Sequence, residues 1–207
     1  IAADGRYAEA RGIFSQLAQD VSVKRPDSDW LQLNIGLCQL LENDSEAAEA
    51  TFQELKKREL FSVEEALSPL ASFFPEAARI MTLPGPVAPG TMKAYARDNY
   101  EAFAFLLYGL KNWQFGQLEP AGEILRQFLA CRPSGQWDWI LEYQPLAQKF
   151  LHDFDVFEPL NKDLKTATTP ETKAALLERV REAKGQVQTG AAIEARLDEM
   201  EARLSRS

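Results

Sequence analysis

The sequence has little of what metal, disulfide or acid–base chemistry requires. Its 207 residues include two cysteines and one histidine. Cys38 and Cys131 lie in apolar segments without a CxxC spacing, which excludes a disulfide-stapled framework and a zinc site. They are typical of buried, reduced thiols, although one bridge between them stays formally open. His152, beside Asp153 and Asp155, has no positioned nucleophile, and we interpret it as a helix-surface or packing residue. We therefore predict no enzyme, no metal and no cofactor.

Long apolar runs and segregated positive charge are also missing. A membrane helix needs about 20 apolar residues, and the stretch 102–110 is far too short, so no membrane insertion is expected. With 23 basic and 31 acidic residues the net charge is −8, which disfavours nucleic acid as a partner. The longest basic run, residues 56–58, is typical of a solvated helix end.

The first residue is Ile1, and no secretion-signal layout follows it. We expect a soluble piece of a longer protein, cytoplasmic rather than exported. A phosphate-binding loop is also excluded at residues 85–90, which have the glycine spacing of such a loop. Pro86 and Pro89 have no N–H to donate, and Thr91 stands where the lysine is required.

What the sequence does contain is a repeated pattern. Three segments share a turn, then a small residue, then a large apolar residue four positions later: Ala10 with Phe14, Ala48 with Phe52, and Ala121 with Leu125. In the second and third segments a glycine, Gly36 or Gly109, precedes the alanine by twelve positions. Small residues let two helix backbones approach closely. The pattern therefore predicts helix pairs that meet at these positions, with Phe52 and Leu125 filling the space one turn later.

This pattern resembles the tetratricopeptide repeat, a helix-turn-helix unit of about 34 residues. In the third segment Gly109 and Ala121 stand at the family's small-residue crossing, Phe128 precedes the helix end by one turn, and Pro133 stands at the closing turn. Trp139 falls where the next repeat would place its early tryptophan. The resemblance covers residues 1–60 and 100–145 and implies an all-α fold, a short right-handed solenoid of helical hairpins.

The repeats are irregular. Ala10 and Ala48 are 38 residues apart, and Ala48 and Ala121 are 73 apart with no clean copy between them. We therefore predict a repeat domain over residues 1–160 with a degenerate repeat or insertion at 61–98. Within it, a capping-box pattern at 62–65 begins a helix that Pro75 ends or kinks, and a proline-rich loop at 83–90 precedes a helix near Thr91.

The C-terminal part changes character. An apolar helix is predicted over residues 136–157, and residues 161–207 are predicted to form a separate helical hairpin or tail. One of its helices starts at Thr169 and Pro170, and the other carries apolar residues from Ile193 to Leu204. We expect this hairpin to fold onto the repeats. The alternative is a homo-oligomer that forms through these helices.

In tetratricopeptide arrays the first helix of each repeat lines a concave surface where peptides bind. The resemblance places nine residues there: Trp30, Leu33, Asn34, Leu37, Leu40, Phe103, Leu106, Leu110 and Trp113. Apart from Asn34 they lack the donors that a terminal carboxylate requires, which disfavours a carboxylate clamp. Two alternatives remain for this groove. If it is open, it is a site for a partner. If the chain's own insertion or C-terminal helices fill it, its residues are core, and this alternative is favoured because helices that are apolar all round are usually buried.

The resulting hypothesis is a non-enzymatic interaction or scaffold module that binds a protein or peptide through a helical-repeat surface. The alternative is an oligomerisation or regulatory appendage of an enzyme in a longer parent chain.

Overall fold

The computed structural model describes residues 5–58, 69–83, 85–86, 101–133 and 135–206. These residues form helices and turns, and no strand occurs among them, as the all-α prediction requires. The chain divides into two compact units, Ile1–Pro84 and Gly85–Ser207. The boundary predicted after residue 160 instead lies inside a helix of the second unit, so the two divisions do not coincide.

The first unit is built from four described helices: α1 (Tyr7–Ala18), α2 (Asp27–Leu41), α3 (Ser45–Lys56) and α4 (Pro69–Met81). Consecutive helices pack against each other along α1, α2 and α3, and α4 lies against both α3 and α2. The centre of this unit is apolar, with Leu33, Leu37, Phe52 and Leu55 almost completely buried. Each added helix therefore covers the apolar side of the hairpin before it.

The second unit contains five described α-helices and one 3-10 segment. They are α5 (Glu101–Gln114), α6 (Leu118–Ala130), the 3-10 segment Gly135–Tyr143, α7 (Gln144–Thr166), α8 (Pro170–Lys184) and α9 (Ala191–Ser205). The α5–α6 hairpin is followed by α7, which packs on α6, and α8 and α9 pair with each other and contact α7. The predicted C-terminal hairpin thus lies on the helix before it.

The three segments that share a sequence pattern also share one turn. Its first residue has a left-handed φ, at Gly5 (82°), Asn43 (63°) and Gly116 (68°). The next residue precedes the helix with a φ/ψ pair of −88°/62° at Arg6, −90°/70° at Asp44 and −85°/67° at Gln117. Glycine and asparagine are the residues that adopt the left-handed region at least cost. The three copies are therefore alike in backbone as well as in sequence.

Two of the three predicted helix pairs pack closely at their glycines. Gly36 of α2 packs against the ring of Phe52 in α3, and Gly109 of α5 packs against Leu125 in α6. The partner alanines Ala48 and Ala121 are buried. A further close contact, between Gly122 of α6 and the ring of Phe154 in α7, brings those two helices together and is not part of the predicted pattern.

Two predicted helices differ from those observed. Pro75 was expected to end or kink its helix, and it does not end it, because α4 runs through it to Met81. Proline removes one backbone donor, and the buried residues Phe74, Ala77 and Ala78 hold the helix on both sides of it. The helix predicted over 136–157 is a 3-10 segment followed by α7, which continues through Pro159. The capping box at 62–65, the end of the proline-rich loop at 87–90 and the helix near Thr91 lie outside the described residues.

The predicted start of α8 is confirmed. The Thr169 hydroxyl accepts a hydrogen bond from the Thr172 backbone N–H, and the Thr172 hydroxyl accepts one from the Thr169 backbone N–H. This reciprocal pair satisfies two amides that the first turn leaves without helical partners, and Pro170 needs none.

Candidate functional site

The nine residues assigned to the concave groove are mostly core. Seven are buried in the structure: Leu33, Asn34, Leu37, Phe103, Leu106, Leu110 and Trp113. Trp30 and Leu40 are half-buried. A side chain with almost no accessible surface cannot contact a partner without a rearrangement, so this set offers little surface for binding.

In the second unit the chain itself covers these residues. The Trp139 ring of the 3-10 segment lies 5.4 Å from the Phe103 ring, measured between centroids. The Phe150 ring of α7 stands edge-on to Trp113 at 4.9 Å. Such edge-on contacts are a favoured arrangement of aromatic pairs. The face of α5 is therefore filled by later segments of its own unit. The sequence favoured a filled groove, but it assigned the filling to the insertion or the C-terminal helices and not to the 3-10 segment and α7.

In the first unit the polar member of the set serves its own helix. The Asn34 side-chain amide donates to the Trp30 carbonyl at 2.8 Å. The Trp30 ring meets the Phe14 ring of α1 edge-on at 5.6 Å. The Asn34 side chain thus bonds within α2, one turn back along its own helix.

Among the described residues, four large apolar side chains are exposed, and two of them, Ile13 and Leu17, lie together on α1. Ile13 and Leu17 are exposed and lie one helical turn apart. Gly12 and Gln16, which are also one turn apart, are exposed next to them. We call these four residues the α1 face. None of them is charged, and a Cβ atom on Gly12 would meet nothing within 4 Å. An uncharged helix face with two exposed aliphatic side chains is a candidate contact surface.

Ion pairs border the α1 face. At the start of the helix Arg6 pairs with Glu9 at 3.1 Å. On the side toward α2, the Arg11 guanidinium donates to the Glu42 carboxylate at 2.6 Å, and this hydrogen bond raises the pKa of Arg11. These charges already have partners within the chain, so the central part of the face remains an apolar surface.

A buried acidic side chain holds the first unit together. Asp29 is fully buried and accepts from Arg25 at 2.8 Å and from Arg58 at 2.7 Å. Arg58 belongs to the basic run expected at a solvated helix end; its side chain is exposed there, and its guanidinium also reaches buried Asp29. Its neighbour Lys57 does form an exposed pair, with Glu54 at 2.7 Å. The contact joins residues 29 positions apart, which local sequence spacing does not reveal.

A second buried carboxylate fixes the loop between α8 and α9. Asp153 of α7 accepts from the Gln188 backbone N–H at 2.9 Å and from the Thr189 backbone N–H at 2.8 Å, and it also accepts from the Thr189 hydroxyl. The exposed His152 ring lies 3.2 Å from the same carboxylate through Nδ1. Hydrogen bonds to a carboxylate are stronger than neutral ones. Asp153 therefore attaches the C-terminal hairpin to α7.

The two cysteines are free thiols. Burial raises the pKa of Cys38 to about 11, and the charge of Glu42 adds to this shift while Arg11 opposes it. A thiol with so high a pKa is a poor nucleophile at neutral pH. Across the described ranges, no three His, Cys, Asp or Glu side chains gather into a group that could hold a metal ion.

Comparison with known proteins finds no matching family model, no matching curated protein and no matching solved structure. Within the described part of the chain, no helix combines the length and the low polarity that crossing a membrane requires.

Proposed function

We propose that this chain is a non-enzymatic interaction module of the tetratricopeptide type, which binds a protein or peptide through the surface of its helical hairpins. One observation carries the proposal. Two hairpins, α2–α3 and α5–α6, use the same left-handed turn and the same glycine crossing, and α1 begins with that turn as well. Stacked hairpins give a rigid framework whose exposed side chains are available for recognition.

We infer that the binding surface lies on the outer faces of the helices. Seven of the nine groove residues are buried in the structure. Of the exposed large apolar side chains among the described residues, Ile13 and Leu17 are the pair that lies together, on the α1 face. Recognition through one helix face is a common mode of peptide and helix binding.

Purification of the tagged chain from its own cells, after mild crosslinking, tests the proposal. Mass spectrometry of the purified material should identify a second protein in about equal molar amount. Recovery of the chain alone would contradict the proposal. Recovery only with further copies of itself would also contradict it and would favour the oligomerisation role.

A further inference from the structure

We draw no further inference here: the strongest candidate, the uncharged α1 face on which Ile13 and Leu17 are exposed, carries none because nothing in the structure shows what covers it.

Discussion

Gly36 lies so close to Phe52 that a Cβ atom at position 36 would sit 2.4 Å from the ring atom Cε1. The equivalent distance from Gly109 to Cδ2 of Leu125 is also 2.4 Å. Both partner side chains are buried and cannot swing away into solvent. The absence of a side chain at each glycine therefore sets how closely the two helices of each hairpin pack.

Gly36→Ala and Gly109→Ala should each lower the free energy of unfolding by about 1–3 kcal/mol, because the added methyl group forces a buried neighbour to move. Gly12→Ala is the control. It sits in an exposed part of α1 with nothing within 4 Å of the new Cβ, so it should raise the free energy of unfolding by about 0.5–1 kcal/mol. Urea denaturation measures all three. A stabilising Gly36→Ala would show that the crossing differs from the one described.

The crossing could be predicted from sequence because it depends on a regular spacing of small and large residues. The contacts of Asp29 and Asp153 could not, because each joins side chains that are distant in the sequence and lie in different elements. For the nine groove residues the sequence favoured burial over an open groove, but it could not show which segments cover them. That outcome depends on tertiary contacts such as the one between Trp113 and Phe150.

Trp113→Ala tests whether the predicted groove is core. Trp113 is buried edge-on against Phe150, so truncation should lower the free energy of unfolding by about 3–5 kcal/mol. The control is Phe115→Ala on the same stretch of chain, where the side chain is exposed and the expected change is under about 1 kcal/mol. Thermal unfolding compares the two. Equal, small effects would indicate that Trp113 is available to a partner.

Arg58→Ala should destabilise the first unit, although Arg58 belongs to a basic run at a helix end. It leaves buried Asp29 with Arg25 as its remaining ion-pair partner, at a cost of about 1–3 kcal/mol. Lys57→Ala removes an exposed pair with Glu54 and should change stability by less than about 0.5 kcal/mol. Denaturation in low and high salt separates them further, since salt screens exposed pairs more strongly. Similar values for both variants would contradict the buried contact.

Asp153→Asn should loosen the C-terminal hairpin. The new amide group cannot accept the hydrogen bonds that both carboxylate oxygens accept now from residues 188 and 189. Hydrogen exchange at the Gln188 and Thr189 amides should rise at least about tenfold, which corresponds to the loss of one charged hydrogen bond. Asp155→Asn, which breaks an exposed pair with Arg126, should leave those amides unchanged. Unchanged exchange in Asp153→Asn would show that the loop is held by other contacts.

The raised pKa of Cys38 predicts how the free energy of unfolding depends on pH in the alkaline range. In the unfolded chain the thiol loses its proton near its ordinary pKa of 9.0, whereas in the folded protein burial raises this pKa to about 11. Between these values the folded state binds more protons than the unfolded state, so the free energy of unfolding falls as pH rises. The contribution is fully present below pH 9 and is lost by about pH 11.

Other groups also titrate in this range, and a matched variant isolates the thiol. The free energy of unfolding of wild type minus that of Cys38→Ala should shrink by roughly 2–3 kcal/mol as the pH rises from 9 to 11. Denaturant titrations at several pH values, under reducing conditions, provide the measurement. A constant difference would mean that Cys38 reaches solvent in the folded protein. Iodoacetamide would then label it as readily as Cys131, which is partly exposed. If Cys38 is as buried as the structure places it, labelling of this thiol should follow the rate of unfolding instead.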